Sequence, residues 1–268
     1  MSVLTVDSPL HTLAPIGLTE LLAQAELQTR TDRKYVLPIA ELPDFLTAIG
    51  SRARVLEIDG TRSFGYESVY FDTPELTSYL LAAHRRRRRF KVRTRTYLDS
   101  HQCWLEVKTR GRRGSTVKHR HPYDPAHRAM LAPGRAFVDG VLAGERLTDY
   151  HRLRFAPSLT TRYQRSTLFL PDSASRVTID TELTCHDQAG ELAVPHLAIV
   201  ETKTSSAASD IDRLLRDHRH RPVRISKYGT GMAALHPDLP ATPWRRTLRR
   251  HFAATPAAHP HPRWLPAS

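Results

Sequence analysis

"HRRRRRFKVRTRTY", residues 84–97, carries eight Arg or Lys in fourteen positions, and its second half decides the fold. Side chains alternate faces along a strand, so residues two apart share a side. In "FKVRTRTY" that parity puts Lys91, Arg93 and Arg95 on one face and Phe90 and Val92 on the other. The neighbouring "CWLEVKTR", 103–110, repeats the arrangement, with Glu106 and Lys108 opposite Leu105 and Val107. A charged face backed by an apolar one is the pattern of an antiparallel sheet with a core side.

The same design recurs further along the chain. "TRTDRKYVL", 29–37, groups Arg30, Asp32 and Lys34. "SRVTIDTEL", 175–183, aligns Arg176, Asp180 and Glu182 against Val177 and Ile179. "TRYQRSTLF", 161–169, offers Tyr163 and Arg165, and "LAIVETK", 197–203, ends with Glu201 and Lys203 on a shared face. A single such strand needs no function, because any sheet with one wet face alternates polar and apolar residues. Several strands whose polar faces are mostly Arg and Lys do need a reason, since like charges opposed across a sheet are destabilising. Two unit charges 4 Å apart repel by roughly 4 kcal/mol at a dielectric of about 20. Open water or a bound polyanion must relieve that repulsion. If the sheet curls with these faces inward, a polyanion is the natural explanation. Arginine holds phosphate oxygens bidentately and lysine adds point charge. The interspersed carboxylates point to a divalent metal bridging carboxylate and phosphate oxygens.

Between the strand-like segments at 86–98, 102–110, 115–120, 159–170, 175–183 and 196–204 lie helical patterns. Examples are "AELPDFLTAIG", 40–50, "AASDIDRLLRDH", 207–218, and "ISKYGTGMAAL", 225–235. Gly111 to Gly114 has turn chemistry. The expected fold class is α+β: one antiparallel barrel or strongly curved sheet of eight or nine strands, with helices inserted between strands and a C-terminal helix. The expected organisation is one domain over 1–236. From Pro237 onward, Pro, Ala, His and Arg without periodicity predict a flexible basic tail over 237–268.

The totals bound the partners. Forty Lys and Arg against 27 Asp and Glu give a net charge of +13, which attracts polyanions. Cys103 and Cys185 show no metal-ligand spacing, so no disulfide framework is indicated. Neither a secretory leader nor an apolar run of about 18 residues is recognisable, and the expected location is cytoplasmic. The fifteen histidines are scattered, and Asp72 in "YFDTP" reads as a helix cap. The arginine-rich run matches no nucleic-acid recognition motif, so no specific nucleic acid is expected as partner.

In order, "TDRKYVLP", "SVYFDTPEL", "KVRTRTY", "WLEVKTRGRRGSTVKHR", "TRYQRSTLF", "RVTIDTEL", "IVETKT" and "ISKYGTGMAAL" resemble the VTC domain. This is the catalytic domain of the vacuolar transporter chaperone complex and of its stand-alone bacterial relatives, within the triphosphate tunnel metalloenzymes. The resemblance spans about residues 28–236. It implies a polyphosphate polymerase that moves the γ-phosphate of ATP onto a growing inorganic polyphosphate chain, using Mn²⁺ or Mg²⁺. The resemblance further implies an antiparallel β-barrel tunnel of about eight strands, lined by Lys34, Arg93, Arg95, Lys108 and Lys118, with Tyr163, Arg165 and Arg176 in its phosphate-binding wall. Lys91 and Lys203 join the expected substrate-binding set through their strand parity, and Arg93, Arg95, Lys108, Glu201 and Lys227 are the expected catalytic set. Glu201 is the implied metal ligand, and Lys227 the lysine brought by the final helix. The superfamily's paired glutamates ahead of the first-strand lysine are replaced here by Arg30 and Asp32, which thins the metal-binding set. A separate membrane protein is the partner expected if polymer is drawn away. Two alternatives stay open: a triphosphatase acting on tripolyphosphate or a nucleoside triphosphate, and a non-catalytic polyanion-binding module.

Overall fold

The computed structural model describes residues 7–24, 31–110, 116–145, 150–204 and 208–252. The strands are β1 (Ala14–Ile16), β2 (Thr31–Pro38), β3 (Arg54–Leu56), β4 (Phe64–Asp72), β5 (Phe90–Tyr97), β6 (Gln102–Arg110), β7 (Thr116–Tyr123), β8 (Ala156–Leu170), β9 (Ser175–His186), β10 (Glu191–Val194) and β11 (Leu197–Thr204). The helices used below are α1 (Asp7–Leu10), α2 (Leu18–Gln24), α3 (Leu42–Ile49), α4 (Thr77–Ala83), α5 (Arg135–Gly144), α6 (Asp210–Asp217) and α7 (Lys227–Leu235).

One sheet runs β2-β11-β9-β8-β4-β5-β6-β7, every neighbouring pair antiparallel. The short β1 and β3 pair in parallel, and β3 joins β8. Among the described residues no ladder joins β7 to β2, so hydrogen bonding leaves a seam. The expected α+β class and antiparallel tunnel architecture stand, with no eighth ladder among the described residues to close the eight-strand path. Residues of β2 and of β7 line one cavity together with the strands between them.

Strand parity sorts the apolar residues into layers. Outward-facing Tyr35, Leu37, Val177, Ile179, Ala198 and Val200 pack under α3 and α6. Val69, Phe71, Phe90, Val92, Leu105 and Val107 pack outward against Val138 and Leu142 of α5. A third cluster occupies the inside of the curl, where Val36, Tyr70, Leu159, Leu183 and Ile199 meet Tyr228 and Met232 of α7. Thus α7 fills one part of the interior with apolar side chains, and the charged cavity occupies the rest.

Three expectations are corrected here. The tail predicted from Pro237 is packed at first: Trp244 and Phe252 are buried beside α7. Glu182 does not share a face with Arg176 and Asp180, because it has a left-handed φ of 53° at a bulge and is exposed. At that bulge Glu182 and Leu183 stand opposite the single residue Tyr163, which reverses the parity and turns Leu183 and Cys185 inward. Strand β5 begins at Phe90, and Arg85–Arg88 form an exposed turn ahead of it. Arg30, the turn expected at Gly111–Gly114 and residues 253–268 lie outside the described residues.

Candidate active site

The cavity has a volume of about 840 Å³ and is lined by eleven Lys or Arg side chains. All twelve site residues expected from the sequence are among its lining: Lys34, Lys91, Arg93, Arg95, Lys108, Lys118, Tyr163, Arg165, Arg176, Glu201, Lys203 and Lys227. Register explains the gathering. Lys91 is opposite Lys108, which is opposite Lys118, so three lysines form one rung across β5, β6 and β7. Glu201 is opposite Lys34 on one side and Thr178 on the other, while Lys203 is opposite Asp32 and Arg176.

Two carboxylates serve the arginines. The Glu106 carboxylate accepts from Arg93 Nε at 2.9 Å and Nη2 at 2.6 Å, and Arg93 Nη1 donates to the Tyr70 hydroxyl at 3.1 Å. Asp180 accepts from Arg165 at 2.5 and 2.7 Å and also from Lys227. Burial alone would raise both carboxyls, yet the facing cations hold each well below the usual carboxylate range. Glu106 and Asp180 therefore act as buried counter-charges that aim cations.

The remaining cations are less compensated. The charges of Arg93 and burial push Lys108 well below its ordinary value. Burial, with Arg93 and Lys34 nearby, lowers Lys91 to about 7, and burial only partly offset by Glu201 lowers Lys203 to about 8. Lys91 Nζ donates to Ser226 Oγ at 2.8 Å, where Ser226 also caps α7. The Arg95 Nε and the Tyr163 hydroxyl are buried and find no hydrogen-bond partner among the described residues. Buried polar groups are ordinarily paired, and these two line the cavity, where a bound anion or water can reach them. Burial would raise the Tyr163 hydroxyl, but Arg95, Arg165 and Lys227 bring it below its ordinary value.

Several lining residues were not picked out from the sequence. Arg120 stacks its guanidinium 3.8 Å from the Trp104 ring centroid, and its parity with Lys118 was the available signal. Leu18 and Leu22 of α2, with Leu56, Ile58 and Phe64, give another part of the lining an apolar character. Nothing periodic connects those distant residues. Asp72 is a cap: it accepts from the backbone N–H of Ser78 and Tyr79 and from the Tyr228 hydroxyl.

The donor set fits a divalent metal carried with substrate. Glu201 faces the cavity, and Asp32 lies on its diagonal in the β2–β11 register. Among the described residues no group of three or more His, Cys, Asp or Glu could hold a metal alone. Mg²⁺-like ions are commonly held by one or two carboxylates plus substrate phosphates, which this pair can provide.

A curled antiparallel sheet enclosing a cation-lined cavity defines a protein of the triphosphate tunnel type. Residues 29–236 match the family model described as the VTC domain, and the chain belongs to that family. Members of this superfamily are phosphate-handling enzymes that act on triphosphate-containing substrates and generally use a divalent metal. Among solved structures, a candidate adenylate cyclase from Bacillus halodurans is similar over 74% of this chain and 94% of its own, at 13% identity and a TM-score of 0.50. A candidate adenylyl cyclase from Hippeastrum, described as having a dominant triphosphatase activity, is similar over 75% of this chain and 94% of its own, at 13% identity and a TM-score of 0.46. At 13% identity the likeness to the Bacillus halodurans structure speaks to the fold alone. No curated protein matches the chain. Among the described residues no helix is long and apolar enough to cross a membrane.

Proposed function

We propose that this protein is a polyphosphate polymerase, transferring the γ-phosphate of ATP onto the end of an inorganic polyphosphate chain. A terminal oxygen of the acceptor chain attacks the γ-phosphorus, the bond from that phosphorus to the β–γ bridging oxygen breaks, and ADP leaves with the electron pair. Phosphoryl transfer asks mainly for alignment and charge neutralisation, so no side-chain nucleophile is needed. Arg93, held by Glu106, and Arg165, held by Asp180, present fixed guanidinium groups to the phosphates. Lys91, Lys108 and Lys118 form a rung for the acceptor end, and Lys227 and Lys203 add charge from the opposite wall. Glu201, with Asp32, would hold Mn²⁺ or Mg²⁺, which offsets charge on the transferred group. Alignment of two anions in one basic enclosure supplies the proximity term.

The observation that carries this reading is the cavity's lining of eleven cations beside an apolar margin formed by Leu18, Leu22, Leu56 and Ile58. The cations suit more than one polyanionic segment, and the apolar margin suits a nucleoside. The test is incubation with ATP and Mn²⁺, resolving polymer from free phosphate. The expected products are polyphosphate and ADP, both lost in Glu201→Gln. Free phosphate without polymer would replace this reading with a triphosphatase, and intact polyphosphate binding without turnover would leave a binding module.

A further inference from the structure

The five arginines ahead of β5 do not line the cavity; the last of them, Arg89, continues its charged strand face, and Arg85–Arg88 precede it in an exposed turn. Parity places Arg89 with Lys91, Arg93 and Arg95, and Arg110 with Lys108. The ladder itself continues past the lysine rung, since Arg110 N donates to Arg89 O at 3.2 Å. Arg89 and Arg110 are thus the next step of the same charged face, outside the enclosure. Arg85, Arg86, Arg87, Arg88 and Arg110 are exposed, and Arg89 is half-buried.

Among the described residues none of these six arginines is in an ion pair, and Arg89 instead donates to the Arg86 carbonyl at 3.0 Å. Among the described residues Arg154, Arg221 and Arg245 are likewise exposed and in no ion pair; what sets the group at 85–89 and 110 apart is its place at the end of the cavity's charged strand face. Arg89 loses basicity through burial and through the facing charge of Arg110. Like charges opposed across a ladder oppose folding, so their persistence beside a polyanion cavity calls for a ligand.

We infer that Arg85–Arg89 and Arg110 form an exterior track that holds inorganic polyphosphate segments extending beyond the cavity. The inference rests on the polyphosphate reading above and adds to it a dependence on chain length. A ligand no longer than tripolyphosphate sits among the cavity residues, whereas a long chain engages cavity and track together. Binding of a linear polyanion releases counterions in proportion to the phosphates neutralised.

The test compares the parent protein with Arg86→Gln/Arg87→Gln/Arg88→Gln and, separately, with Arg110→Gln. Each is titrated with tripolyphosphate and with long-chain polyphosphate over a series of salt concentrations, after a thermal melt verifies folding. The triple variant is expected to bind the long chain roughly tenfold to a hundredfold more weakly, with the log–log salt slope reduced by about 2. The loss should shrink as the chain shortens and be least for tripolyphosphate. Arg110→Gln should show the same trend with a smaller amplitude. If the parent binds both ligands and the triple variant loses nothing on the long chain, the track is overturned while the cavity reading stands. If the parent binds neither, the cavity reading fails and the track falls with it. A homopolymeric RNA that binds the parent more tightly than polyphosphate, and is lost equally in the variant, would overturn polyphosphate as the occupant.

Discussion

Arg93 and Arg95 share a strand, a face and a residue type, but their energetics differ. Arg93 is directly opposite Glu106 and pairs with it at 2.6 Å, with both side chains buried. Arg95 is opposite Trp104, reaches Glu106 only at 4.0 Å, and leaves its Nε unpartnered. Truncating one member of a buried ion pair strands the other charge, so Arg93→Ala should lose about 3–5 kcal/mol of stability. Arg95→Ala removes repulsion with Lys108 and should stay within about 1 kcal/mol of the parent. Urea unfolding combined with a tripolyphosphate titration separates the two: Arg95→Ala should fold normally and bind at least tenfold more weakly. Equal stability losses in both would sink the distinction. Parity alone made the shared face legible in "FKVRTRTY". Which arginine has a carboxylate opposite depends on the β5–β6 register, and that follows from the turn at Leu98–His101 and its pairing rather than from the alternation.

At the scale of elements, α7 shows what composition hides. Its N-terminus brings Ser226 to Lys91 and Lys227 to Asp180, so its position sets part of the cavity wall. Trp244 packs against it: a Cβ at Gly229 would overlap the indole's Cζ2 and Cη2, so only glycine lets helix and ring approach so closely. The helix was readable from the pattern of "ISKYGTGMAAL". Its clamp was not, because Trp244 and Phe252 are isolated apolar residues in a stretch rich in Pro and Arg, with no period to mark them. The bulge at Glu182 was hidden for a similar reason, since strict alternation assumes one parity from end to end. Trp244→Ala should cost about 3–5 kcal/mol through the void left behind. A thermal melt should fall by roughly 10 °C, since each kcal/mol moves a domain of this size by about 2–4 °C. Residual folded enzyme should show a raised KM for the phosphate donor as Lys227 loosens. An unchanged melt would mean that the indole only covers α7 and does not fix it.

For the whole molecule, the alternating charged faces made an inward-facing basic sheet legible before any contact was known. The seam between β2 and β7 was not, because an unpaired edge leaves no mark in the pattern of either strand. The enclosure has a consequence that no single strand carries: it holds lysines partly deprotonated until an anion arrives. Burial and neighbouring cations lower Lys91 to about 7 and Lys203 to about 8, and Lys108 is depressed as well. Bound phosphates favour the ammonium form and move these values back toward the ordinary lysine value of about 10. Binding therefore takes up protons at pH above the free-state values, and affinity is greatest below about pH 7 and falls as pH rises. The unliganded fold responds in the opposite sense. Its depressed lysines bind fewer protons than the unfolded chain above about pH 7, so these groups make free-protein stability rise with pH toward about 10. The stabilisation that ligand adds should accordingly narrow over that range. The last proton of free tripolyphosphate also titrates in this range, so its release is read from a parallel titration of the ligand with the Lys91→Met variant and subtracted from the balance. Calorimetric titration with tripolyphosphate at pH 8.5, in two buffers of different ionisation enthalpy, should reveal net proton uptake of about one to two per site. Replacing Lys91 by Met should reduce that uptake. Proton release, or an apparent enthalpy independent of buffer, would mean that the lysines are already charged in the empty cavity and that its cations are neutralised in some other way.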